Sequence, residues 1–172
     1  MQTKALVVLD LAMLSLITHF SRLGAAPIEW YGLNSPTNAS LTAVAAVPYV
    51  QNPQWVIVGR NSTILTSPDG LRWKQMPFEG GGDFLSLTYG NGVFVAGGTS
   101  NNLICTSPDG TNWSVQVSTT GTEAIRGLTF GSGRFVGVGI ASGEAFIVTS
   151  TNGTNWTYPS PPTSIPLHAV TF

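Results

Sequence analysis

Charge is scarce in this sequence. Asp, Glu, Lys and Arg supply 9% of its 172 residues, where an ordinary globular domain carries about 25%. Seven Lys and Arg against eight Asp and Glu leave a formal charge of −1. No basic stripe is available to neutralise phosphates, so a nucleic-acid partner is excluded. Cysteine occurs once, at Cys105, which rules out a disulfide framework and a thiolate zinc site. Set in Asn-Leu-Ile-Cys-Thr, that thiol is expected to pack as a small hydrophobe in a strand. No metal or cofactor is expected. Beyond residue 26 no apolar stretch reaches the ~20 residues that a membrane-spanning helix needs.

What is there instead is apolar, aromatic and rich in turn formers. Apolar residues make up 42% and aromatics 10%, with 20 Gly and 11 Pro, a composition incompatible with disorder at this low net charge. Gly, Asn, Asp, Ser and Pro recur between short apolar runs, the pattern of an all-β chain with many hairpins. At this length one domain with its own core is expected.

Residues 1–26 differ from the rest. Lys4 precedes an apolar run from Ala5 to Ile17, and Leu23-Gly24-Ala25-Ala26 offers small residues for a cleavage site. This is the layout of a secretory signal peptide, although Asp10 interrupts the run and Pro27 follows the cut. The expectation is a leader over 1–26 and a secreted body, extracellular or periplasmic, over 27–172.

That body repeats itself. Thr-Ser-Pro-Asp-Gly-Leu-Arg-Trp ends at Trp73, Thr-Ser-Pro-Asp-Gly-Thr-Asn-Trp at Trp113, and Thr-Ser-Thr-Asn-Gly-Thr-Asn-Trp at Trp156, at intervals of 40 and 43 residues. Aligned on the tryptophans, each unit resolves into four short strands. In the middle unit these are Phe84 to Tyr89, Val93 to Ala96, Leu103 to Thr106 and a strand opening at Trp113, with Gly90-Asn91-Gly92 and Asp109-Gly110 as turns. The units span about 41–76, 84–117 and 125–158. Four meandering strands every 40 residues or so predict the blade of a β-propeller. Trp30, within a lone outer strand over 29–31, lies 43 residues before Trp73. At the other end, 167–172 reads as the first strand of a further blade. Three blades and two half-blades fall short of the four or more that a ring uses. The expectation is therefore a partial propeller within a longer chain, or one completed by other chains.

The repeated segment resembles the Asp-box, or BNR, repeat of the sialidase superfamily, whose pattern is Ser-x-Asp-x-Gly-x-Thr-Trp. Here the corresponding residues are Ser67, Asp69, Gly70 and Trp73; Ser107, Asp109, Gly110 and Trp113; and Ser150, Asn152, Gly153 and Trp156. Asp and Gly are adjacent, so the hairpin is one residue shorter, and the third copy has Asn for Asp. The chain is also similar to uncharacterised secreted bacterial proteins built from Tyr-Gly-Asn-Gly-x-Phe-Val-Ala-x-Gly and Thr-Ser-x-Asp-Gly-x-x-Trp-Thr units. The resemblance covers about 28–172. It implies a structural hairpin, set on the face opposite a sialidase active site. Chemistry agrees: Asp or Asn accepts backbone amides two or three residues on, Gly supplies positive φ, and the Trp ring wedges between blades.

Candidate binding residues therefore fall on the other, loop-bearing face. A sialidase needs three arginines, but Arg72 and Arg134 belong to the hairpin face and only Arg60 and Arg126 remain. Acidic loop residues are Glu79, Asp83, Glu123 and Glu144, with nothing in their spacing to select a hydrolytic pair. Arg126 and His168 take equivalent places in successive first strands. Arg60, Arg126, His168, Glu123 and Asp83 are the candidate ligand-binding set, and no catalytic residue is assigned. Gly80-Gly81-Gly82, which lacks a following Lys-Ser/Thr, reads as a flexible connector. The sequons at Asn38, Asn61, Asn112, Asn152 and Asn155 read as a by-product of turn composition. The leading expectation is a non-catalytic module that binds a protein or carbohydrate through its loop face. The alternatives are a sialidase-like exo-glycosidase fragment with its catalytic residues elsewhere, or a propeller resembling photosystem II assembly factors.

Overall fold

A computed structural model describes residues 32–47, 54–99, 104–117 and 122–172. The chain divides into two units, Met1–Pro36 and Thr37–Phe172. In the first, the described residues 32–36 form no strand or helix. The lone outer strand expected over 29–31 lies outside the described residues, as does the leader.

The second unit is all-β, and no helix occurs among the described residues. β1 (Leu41–Ala46), β2 (Trp55–Gly59), β3 (Ile64–Ser67) and β4 (Lys74–Met76) form one antiparallel sheet in sequence order. β5 (Phe84–Gly90), β6 (Val93–Gly98), β7 (Ile104–Ser107) and β8 (Ser114–Val117) form the second. β9 (Ala124–Gly131), β10 (Arg134–Ala141) and β11 (Glu144–Ser150) form the third. Consecutive antiparallel meanders of three or four strands that pack face to face, without closing into a barrel, are the blades of a partial β-propeller. β1, β5 and β9 neighbour one another from sheet to sheet, and so are the inner strands.

The third unit departs from the expected fourth strand over Trp156–Tyr158, which contracts to a single bridge between Thr149 and Thr157. The register explains the loss. Thr66 faces Lys74 and Ile64 faces Met76 in the first sheet. Thr149 facing Thr157 therefore brings Pro159 to the place of Met76. Proline has no amide to give a ladder.

Side-chain alternation puts one apolar row on each face, and both interfaces fill with it. Val56, Val58 and Ile64 of the first sheet meet Phe84, Leu87, Phe94 and Cys105 of the second. Val95 and Ile104, from the other face of the second sheet, meet Ile125, Leu128, Phe135 and Val148 of the third. Phe84, Phe94 and Phe135 are fully buried, and truncating such a side chain to Ala costs about 3–5 kcal/mol.

The sheets interlock at their inner strands as well. The Phe130 ring lies over Gly90, leaving no room for a Cβ, and the Phe172 ring lies over Gly131 in the same way. The Leu167 amide donates to the Gly139 carbonyl at 3.2 Å. Segment 167–172, though not a regular strand, thus sits against β9 as β9 sits against β5.

Candidate functional site

The three repeated hairpins close on one hydrogen-bond scheme. Ser67, Ser107 and Ser150 donate their hydroxyls to Asp69, Asp109 and the Asn152 amide oxygen at 3.0–3.1 Å. The same hydroxyl oxygens accept the amides of Gly70, Gly110 and Gly153 at 2.8–2.9 Å. Oδ1 of each Asp or Asn then takes two further amides, Leu71 and Arg72, Thr111 and Asn112, or Thr154 and Asn155, at 2.8–3.0 Å. Each indole N–H returns to the glycine carbonyl, at 3.0, 3.0 and 2.8 Å. These bonds work because the side chains are short and the glycines take positive φ, between 71° and 77°.

The amides of Arg72 and Leu71 and the Arg72 side chain hold the Asp69 carboxyl well below the usual carboxylate range. Burial opposes ionisation at Asp109, but the amides and side chains of Asn112 and Thr111 outweigh it and hold that carboxyl low as well. Arg72 Nε reaches Asp69 Oδ2 at 2.7 Å, and Asn112 Nδ2 reaches Asp109 Oδ2 at the same distance.

Each later hairpin bears on the sheet before it. A Cβ on Gly110 would stand 2.5 Å from Val56 Cγ2, and one on Gly153 would stand 3.3 Å from Val93 Cγ2 and Val95 Cγ2. Trp113 packs on the cluster between the first two sheets, with its ring 6.3 Å from Phe84. Trp156 packs on the second cluster, 6.3 Å from Phe135. Asn91 Nδ2 donates across to the Thr151 carbonyl at 3.1 Å. All of this chemistry is internal: it folds the hairpin and seats it.

At the other end of the sheets, two candidate residues come together. Arg60 Nη1 lies 3.9 Å from Asp83 Oδ2, and Asp83 Oδ1 accepts the Asn61 amide at 2.9 Å. Asn61 and Ser62 both have positive φ, 55° and 54°, and this carboxylate braces that turn. Gly80-Gly81-Gly82 is no loose connector. Ser62 Oγ donates to the Gly80 carbonyl at 2.7 Å, and the Ser62 amide donates to the Gly82 carbonyl at 3.0 Å. Asp83 closes the stitch by exchanging bonds with Thr99: Asp83 N to Thr99 Oγ1 at 3.0 Å and Thr99 N to Asp83 O at 2.9 Å. Arg60 and Asp83 thus belong to a clasp between the first two sheets.

The remaining candidates are not joined to it. Arg126 is exposed on β9 and His168 is exposed on the segment beside it. Neither side chain makes a hydrogen bond or ion pair with a described residue. Glu123 is half-buried just before β9, and Glu144 is exposed at the start of β11. One feature escaped the sequence reading. Val138 pairs with Gly127 and Gly139 with Ile125, so Arg126 is the extra residue of a β-bulge. The sequence signal was the glycine opposite: a Cβ on Gly139 would run into the Ala124 carbonyl.

Cys105 is fully buried, and burial pushes its thiol up to about 12, so it is no nucleophile. Among the described residues no group of three His, Cys, Asp or Glu is placed to hold a metal ion. No helix among them is long and apolar enough to cross a membrane. No family model matches the chain, and no curated protein matches it.

Proposed function

We propose that this chain is a secreted, non-catalytic propeller module of the Asp-box kind, which binds a carbohydrate or protein through the loop-bearing ends of its sheets. One observation carries the reading. The Ser, Asp and Asn side chains of the three repeated turns are consumed internally, whereas at the other end the exposed side chains of Arg126, Glu144 and His168 make no hydrogen bond or ion pair with a described residue. Side chains without a structural duty, on a rigid scaffold, are what a recognition surface uses. Hydrolysis of a glycosidic bond asks for two carboxyl groups flanking one bond. The described acids are instead spread over separate loops, and Asp83 is committed to Arg60 and to the Asn61 amide. Export is supported by the leader-like composition of residues 1–26 and the sparse charge of the body.

The test pairs a glycan-array screen of the purified chain with hydrolysis assays on fluorogenic glycosides, a sialoside included. The expected result is saturable binding without turnover, weakened by Glu144→Gln and unchanged by Asn155→Ser at the hairpin end. Turnover at enzyme-like rates, or binding lost equally in both variants, overturns the proposal.

A further inference from the structure

The bulge at Arg126 is one of a series. Thr42 is skipped between the pairs Leu41 with Gly59 and Ala43 with Val58. Leu85 is skipped between Phe84 with Gly98 and Ser86 with Gly97, as Arg126 is in β9. The inner strands therefore carry an extra residue at the same place in all three sheets. His168 holds that place in 167–172, because Phe172 covers Gly131 as Phe130 covers Gly90.

In the first two sheets the position serves the fold. The Thr42 hydroxyl lies 2.9 Å from the Phe84 carbonyl and 3.1 Å from that of Val58, tying one inner strand to the next. Leu85 is a half-buried apolar side chain. At Arg126 and His168 that duty lapses. Both side chains are exposed and make no hydrogen bond or ion pair with a described residue, so among the described residues a satisfied polar lining does not describe them. A repeat that keeps its bulge but replaces a structural residue by an exposed donor has departed from its own rule, and such departures mark function.

The two donors also stand on abutting segments, β9 and 167–172. A Cβ on Gly127 would come within 3.0 Å of Ala169 Cα and Val170 N, and Arg126 and His168 each precede that point of closest approach by one residue. A guanidinium presents a planar fork of N–H donors suited to a carboxylate or phosphate, and an imidazole adds an N–H in either protonation state.

We propose that Arg126 and His168 form an oxyanion subsite at the inner edge of the loop-bearing face, receiving a carboxylate or phosphate group of the ligand. This rests on the reading of that face as the binding surface and specifies the ligand as anionic.

The test is an NMR titration of the isotopically labelled chain, following the Arg126 Nε–H and His168 ring resonances. The probes are inorganic phosphate in one arm and glucuronate in the other, at constant ionic strength made up with chloride. Saturable shifts at both residues are expected in at least one arm, and the responding arm identifies which oxyanion is held. Arg126→Gln and His168→Gln should each weaken that binding about tenfold, while Arg134→Gln, at the hairpin end, leaves it unchanged. Shifts no larger than chloride produces, or equal weakening by Arg134→Gln, overturn the subsite. If that happens while array binding remains sensitive to Glu144→Gln, only the subsite falls; if array binding is absent too, the reading of the face falls with it.

Discussion

Replacing Gly110 by Ala measures how firmly a hairpin is seated on the sheet before it. The new methyl meets two penalties. The backbone has φ +73°, a left-handed conformation that costs an L-residue about 1–2 kcal/mol. The Cβ would also stand 2.5 Å from Val56 Cγ2, inside a fully packed interface, where overpacking costs about 1–3 kcal/mol. The sum is about 2–5 kcal/mol. Gly133→Ala is the control, because φ is +72° there with nothing within 4 Å of the added Cβ, so it meets the first penalty alone. Urea unfolding of the purified variants, followed by tryptophan fluorescence, should place the Gly110→Ala midpoint below that of Gly133→Ala by about 1 M, with m unchanged. Adding Val56→Ala should recover part of the difference, a coupling that a double-mutant cycle reads directly. Equal midpoints for the two glycine variants would refute the reasoning, since the hairpin would then not be wedged against the neighbouring sheet.

Three further outcomes are expected. Asp69 and Asp109 have folded-state pKa values depressed below their unfolded value of about 4, so their contribution is present above that pH and lost progressively as pH falls below it. Melting temperature against pH should therefore fall less steeply below pH 4 in Asp69→Asn/Asp109→Asn than in the parent chain. Thr151→Pro should stabilise by about 0.4–1 kcal/mol in the same urea assay, because Pro68 and Pro108 hold the equivalent hairpin positions and the Thr151 carbonyl, which accepts from Asn91, is retained. Cys105, buried with a raised pKa, should resist a thiol-specific reagent in the native chain and react fully in denaturant; rapid native labelling would contradict the packing.

The fold was legible because two periodicities agree. The tryptophan-terminated turn fixes the unit, and the short apolar runs between turns give the strands within it. What escaped were features that depend on register rather than type. Pro159 is an ordinary loop proline until Thr149 is known to face Thr157. The bulge series needs the pairing of β1, β5 and β9 with their neighbours to count which residue is left over. Arg60 and Asp83 looked like two free loop charges because they are far apart in sequence, in separate units, and only the packing of one sheet on the next joins them. The equivalence of Arg126 and His168, by contrast, could be counted from the spacing, whereas their lack of partners among the described residues could not.

The proline that shortens the last outer strand makes the blades unequal. In a chain of stacked units, each stabilised by its own ladder and by its neighbours, β3 and β7 are flanked on both sides, while β11 holds its outer neighbour through a single residue pair. Opening should therefore start along β11 and travel inward, with the third sheet as the fuse of the assembly and the clasped first pair as the last part to let go.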